Sequence, residues 1–227
     1  MARPSQRIDR ALLASGRALF PRSGCAGLSV RAVSEHAGAN PAMFHYHFGS
    51  KDEFLRTLLQ QMYEEMYTEL EGQAHAEGTP LDRLRASLLA LARYARGQRQ
   101  LLARVWTDAM AGEAVAVAFF RGNAPRHLGL LFALLEQAHA EGTLRRLPPL
   151  QRFAFVMGSV LMPIIFLSGL AEALDAPTLP SREVETQVMG DAAIAQRIEF
   201  ALAALAAPAA ARRSRTRTTR RAAGAAA

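Results

Sequence analysis

Apolar residues in this 227-residue chain recur at three- and four-residue intervals almost from end to end, and sustained two-residue alternation is nearly absent. That spacing lines apolar side chains along one face of an α-helix, so the chain is expected to be all-α. Ile8, Leu12, Ser15 and Leu19 share a face of a first helix, which should stop between Pro21 and Gly24. Ser29 has the side chain to cap a short second helix with Val30 and Val33 turned inward. Ala37, Gly38 and Ala39 break that helix. Asn40 is placed to cap a third, with Pro41 at the first helical position, where a missing N–H costs little. Gly49 and Ser50 end it, and Ser50 with Glu53 has the spacing of a capping box for a long fourth helix striped by Phe54, Leu55, Leu58, Leu59, Met62 and Met66. Further helices are expected over about 81–96, 98–111, 113–141, 149–174 and 188–206, with 175–187 a loop. The uncharged run 153–171 is of borderline length for crossing a bilayer, and a helix buried on all sides in a soluble protein is the expected reading.

Two short helices joined by a glycine-containing turn and braced by a first helix form a helix-turn-helix unit, which sends its second helix into the DNA major groove. The charge distribution agrees with a polyanionic partner. The formal net charge is +7, residues 1–50 hold six arginines against Asp9 and Glu35, and residues 208–227 hold six arginines and no acid, while 51–207 is mildly acidic. From Pro208 onward no large apolar residue occurs, so 208–227 is expected to be a disordered basic tail. The lone cysteine, Cys25, excludes an intramolecular disulfide and fits a reducing, cytoplasmic location. Arg3, Arg7, Asp9 and Arg10 interrupt any early apolar run, so neither a secretory leader nor a membrane partner is expected.

Residues 40–54 read Asn-Pro-Ala-Met-Phe-His-Tyr-His-Phe-Gly-Ser-Lys-Asp-Glu-Phe, an aromatic-rich run followed by a small-residue turn, a lysine and an acidic pair. With Gly27-Leu28-Ser29-Val30-Arg31-Ala32-Val33-Ser34 before it, this segment resembles the second and recognition helices of the TetR/AcrR family of one-component transcriptional regulators. The likeness in detail covers about residues 8–56. It implies an N-terminal three-helix helix-turn-helix domain, residues 1–50, and a C-terminal helical ligand-binding and dimerisation domain, residues 51–207. The DNA-binding residues it implies are Ser29, Arg31, Asn40, Pro41, Ala42, His45, Tyr46, His47 and Lys51. Helical geometry agrees: Phe44 and Phe48 share an inward face, leaving Pro41, Ala42, His45 and Tyr46 for base edges, while His47 and Lys51 lie nearer the phosphates. Tyr commonly stands in the family where this chain has His45. Lys51 is the only lysine in the chain and occupies the family's lysine position.

The same resemblance implies an apolar effector pocket, for which Trp106, Met110, Phe120, His127, Phe132, Met157, Met162 and Phe166 are the candidates. Homodimerisation is expected through the last two long helices, with Gly158, Ala193, Ala201 and Ala204 permitting close approach. The expected function is a ligand-responsive DNA-binding regulator, a repressor released from a palindromic double-stranded operator by a small apolar molecule. A helical protein-interaction module without DNA binding is the alternative. An enzyme is not expected: no nucleophile elbow, phosphate loop, H-E-x-x-H, paired-cysteine zinc spacing or dinucleotide fingerprint occurs. No cofactor is expected and no metal, since His45 and His47, two apart on a helix, point about 200° apart.

Overall fold

The computed structural model describes residues 4–174 and 178–208. Its elements in order are α1 (Pro4–Gly27), α2 (Val30–His36), α3 (Pro41–Phe48), α4 (Lys51–Ala74), α5 (Pro80–Gly97), α6 (Arg99–Met110), α7 (Ala114–Ala140), α8 (Pro149–Leu174), α9 (Ser181–Gln187) and α10 (Asp191–Leu205). The all-α expectation holds. Two compact units divide the chain: Met1–Thr68 with Gln98–Pro125, and Glu69–Gly97 with Arg126–Ala227. The basic stretch from Ala209 onward lies outside the described residues.

In the first unit, Leu12 and Phe20 of α1, Val33 of α2, Phe44 of α3, Phe54 and Leu58 of α4 and Leu101 and Val105 of α6 share one core. α6 lies along α1, so the helix-turn-helix and the residues around 98–125 form one body. α1 runs through Pro21 and is broken at Gly24, within the stretch where it was expected to stop, because the φ of 64° there lies in the left-handed region that favours glycine; a last turn follows to Gly27. A Cβ at Gly24 would also press on the Arg104 guanidinium, which would have to swing aside. The capping box at α4 is half made. Ser50 Oγ accepts the Glu53 N–H at 3.1 Å, but the Glu53 carboxylate pairs with Arg56 instead of turning back.

In the second unit, α5, α8 and α10 pack together. Leu84, Leu88 and Leu91 of α5, Val156, Val160 and Ile164 of α8, and Ile194, Ile198 and Leu202 of α10 are buried along the facing stripes. α7 joins through Phe132, stacked on Phe153 at 4.3 Å, and through Glu136, ion-paired with Arg152. Arg152 is 1% exposed, and its guanidinium also donates to the Leu147 carbonyl at 2.7 Å. A single antiparallel bridge, Leu144 to Ala206, ties the α7–α8 connection to the end of α10.

Two expectations change. Residues 175–187 are not all loop: α9 occupies Ser181–Gln187, held by the one buried apolar residue Val184. One anchor in seven residues is too short a pattern for periodicity to register. α8 is not buried on all sides either. Its stretch Pro149–Leu167 is long and apolar enough to cross a bilayer, yet only 28% of it is buried. Phe155, Met162, Leu170 and Leu174 are exposed on it, as is Phe200 on α10. Uniform apolarity hides from the sequence which face of α8 the chain itself covers.

Candidate nucleic-acid interface

The outward surface of the helix-turn-helix follows from how two short-range caps, a glycine turn and one aromatic cluster fix it. Ser29 Oγ accepts the Ala32 N–H at 3.1 Å, starting α2. The turn closes with Ala37 N–H on Val33 O at 3.0 Å and Ala39 N–H on Ser34 O at 2.9 Å, and Gly38 between them has φ 63°. Asn40 Oδ1 accepts the Ala42 N–H at 2.9 Å, starting α3 with Pro41 in its first turn. His36 Nδ1 lies 2.9 Å from Ser15 Oγ, holding α2 to α1.

Phe44 is fully enclosed. Its ring lies 4.9 Å from that of Phe54, which meets Phe48 edge-on at 4.9 Å. With that side of α3 committed, Pro41, Ala42, His45 and Tyr46 are left exposed, Tyr46 at 77%. His45 Nδ1 lies 3.0 Å from the Gly49 carbonyl. A carbonyl can only accept, so this contact places the proton on Nδ1 and leaves Nε2 of the neutral ring as the acceptor.

The remaining DNA-contact candidates are held more tightly than the sequence suggests. His47 is half-buried against Tyr46, its Nε2 enclosed without a hydrogen-bond partner, instead of standing free toward solvent. Lys51 Nζ donates to the Ala26 carbonyl at 3.1 Å, meeting the negative end of α1. Arg31 is exposed but engaged: Nε donates to Glu35 Oε1 at 2.7 Å, and that hydrogen bond, ahead of the charge attraction, pushes its pKa up. Glu35 was not singled out from the sequence, although its four-residue spacing from Arg31 is the signal for such a pair.

A second feature was also missed: Asp108 has the same four-residue spacing from Arg104, but its contact with Cys25 left no local signal. Asp108 of α6 is 3% exposed, and its Oδ2 accepts the Cys25 N–H at 2.7 Å, while Oδ1 accepts Arg104 Nε at 2.9 Å. The carboxylate thus pins the turn after Gly24 that leads into α2. Cys25 itself is buried. Burial first, and then a hydrogen bond from the thiol itself to Asp108, push it from 9.0 up to about 12. It stays protonated, as a packing residue rather than a thiolate.

The effector-pocket candidates do not gather in one unit. Trp106, Met110 and Phe120 belong to the first. Trp106 meets Phe120 edge-on at 5.7 Å, and Trp106 and Met110 are 42% and 69% exposed, so neither is enclosed. His127, Phe132, Met157, Met162 and Phe166 belong to the second. There Phe132 is spent on its stack with Phe153 and Met162 is exposed, while His127, Met157 and Phe166 are half-buried. No cluster of three or more His, Cys, Asp or Glu able to hold a metal occurs among the described residues.

Residues 12–58 match the family described as bacterial regulatory proteins, tetR family. No curated protein matches the chain. Among solved structures, a TetR-family transcriptional regulator from Agrobacterium tumefaciens superposes with TM-score 0.66 at 19% identity, over 89% of this chain and 100% of that one. PfmR, a TetR-family regulator from Thermus thermophilus, gives 0.62 at 20% identity, covering 84% and 96%. HlyIIR, a hemolysin II transcriptional regulator, gives 0.61 at 13% identity, covering 90% and 99%. At these identities the likeness is one of fold. It extends along nearly the whole of each relative and bears out the helical fold, while the family match at residues 12–58 bears out the N-terminal resemblance.

Proposed function

We propose that this chain, a TetR-family regulator by its N-terminal module and its fold, binds operator DNA as a two-fold dimer and releases it on binding a small apolar effector. One observation carries the DNA-binding half: the Phe44–Phe48–Phe54 cluster fixes α3 with Pro41, Ala42, His45 and Tyr46 facing outward. These side chains would read bases. The neutral His45 ring offers an acceptor, suited to the amino group of adenine or cytosine. Ser29, Arg31, Asn40, His47 and Lys51 would serve the backbone. Lys51 can keep Ala26 and still reach a phosphate, because an ammonium has three donors.

The dimer reading rests on the apolar residues left open on α8 and α10, Phe155, Met162, Leu170 and Phe200. Gly158 and Ala204 are exposed and would permit close approach; Ala201 is buried within its own unit and belongs to the core. A symmetric pair sets two recognition helices roughly 34–36 Å apart, the spacing of successive major grooves on a palindromic site. The effector would bind among the helices of the second unit near Met157 and Phe166. Footprinting on the upstream region of its own gene tests the reading. Protection of two half-sites, lost steeply as salt rises, supports it; salt-insensitive or absent binding sinks it in favour of a protein-interaction module.

A further inference from the structure

Where α1 and α4 meet, the first unit carries an open cleft of about 140 Å³. Leu58 and Met62, both buried, make its floor; Leu13 makes the α1 wall, and Arg10, Arg17 and Gln61 stand at the rim. An apolar cavity of about 150 Å³ is known to accept benzene, so the space suits an apolar group of one ring. The two rim arginines differ in what they have to spend. Arg17 grips Glu65 through both terminal nitrogens, at 3.1 and 2.7 Å. Arg10 is exposed, and its guanidinium makes no hydrogen bond or ion pair among the described residues; the adjacent Asp9 carboxylate accepts the Arg10 backbone N–H instead. An apolar floor beside a guanidinium fork complements a carboxylate on an apolar body.

We propose that this cleft binds a small organic carboxylate, its ring-sized apolar body on Leu58 and Met62 and its carboxylate on Arg10, and that occupancy loosens the recognition helix. This site is separate from the effector site proposed in the second unit, and its second clause rests on the DNA-binding reading. The coupling follows from the neighbouring contact. A Cβ on Gly16 would stand 2.5 Å from the Phe54 ring and 3.2 Å from Leu58, so beside the cleft α1 fits closely against these two side chains of α4. Phe54 in turn seats Phe44 and Phe48 of α3. A ligand wedged between Leu13 and Leu58 acts on that seat, and shifts DNA affinity only by as much as it prefers the loosened arrangement.

The test uses the full chain without DNA, titrated by calorimetry with benzoate and with its neutral counterpart benzyl alcohol. Benzoate should bind at least about tenfold more tightly, and that advantage should vanish in Arg10→Gln, a change at an exposed position. Ala14→Phe, which would fill the cleft from the exposed side of α1, should weaken both ligands about tenfold. If it does not fold, the first two comparisons decide. Equal affinity for the two probes, or benzoate binding unchanged in Arg10→Gln, overturns the site. In a second arm, saturating benzoate should weaken binding to the footprinted duplex at least about threefold. Benzoate binding with DNA affinity unchanged overturns the coupling. Benzoate binding by a chain that never binds DNA overturns the DNA-binding reading and the coupling with it, while the site stands.

Discussion

Asp108→Ala should destabilise the first unit by about 3 kcal/mol, although the residue lies 83 positions from the turn it holds. A hydrogen bond to a charged acceptor contributes about 1.5–3 kcal/mol, and a buried N–H left without a partner costs about 1–3. Asp108 is 3% exposed and the Cys25 N–H it serves is buried, so the upper part of those ranges applies. The ion pair with Arg104 adds less, because the arginine side chain is 33% exposed and water screens it; about 0.5 kcal/mol is a fair share. Asp108→Asn keeps an acceptor for Cys25 but turns an NH2 toward Arg104 Nε, losing the charge and that second hydrogen bond, so it should cost about 1.5 kcal/mol. Urea unfolding followed by far-ultraviolet circular dichroism, at one fixed protomer concentration so that self-association does not enter, measures both. A cost below about 1 kcal/mol for the alanine variant would refute the carboxylate's role at the turn. So would an asparagine variant as unstable as the alanine one.

Tyr46→Ala should leave the melting temperature within about 2 °C, since a 77% exposed ring buries little, yet cut operator affinity about tenfold; filter binding checks it. Phe200→Glu, at a position 65% exposed in the single chain, should convert the dimer to monomer in light scattering without unfolding it. The unfolded chain ionises Cys25 from its ordinary 9.0, whereas the folded chain holds the proton to about 12. That raised value stabilises fully below pH 9, and the benefit is lost as pH climbs toward 12. Cys25→Ala should therefore flatten the fall in urea midpoint between about pH 8 and pH 10.5, and an identical fall in both proteins would exclude the thiol as its source. Lys51→Ala should weaken binding to every duplex alike, by about 1 kcal/mol, in competition assays across unrelated sequences.

The sequence was most informative where a residue's role is set by its near neighbours. The caps of Ser29 and Asn40 and the inward face of Phe44 and Phe48 depend on residues two to ten positions away, and all were legible. The capping box was only half so, because Glu53 had Arg56 as a competing partner one turn on. The contact of Asp108 with Cys25 was invisible, since an aspartate on an amphipathic helix looks solvated until the fold brings Cys25 to it. Lys51 was recognised, but its bond to Ala26 required knowing that one more turn follows the break at Gly24. For the effector candidates the sequence carried least. Phe and Met at helical spacing signal burial against something, but carry no sign of what, and Trp106, Met110 and Met162 are exposed.

The Arg31–Glu35 pair bears on how DNA contacts of this protein can be counted. The slope of affinity against salt registers mobile counterions set free when a cation displaces them from phosphate. In the proposed complex Arg31 would come to the duplex with an anion of its own, covalently tethered four residues away and 2.7 Å from its Nε. To take up a phosphate it must exchange partners, and Glu35 is then left facing the polyanion and attracts back a cation from solution. The two ionic events oppose each other, so a contact plain in footprinting can be nearly silent in the salt slope. Glu35→Gln would make that contact audible, steepening the slope while Arg31 itself is unaltered.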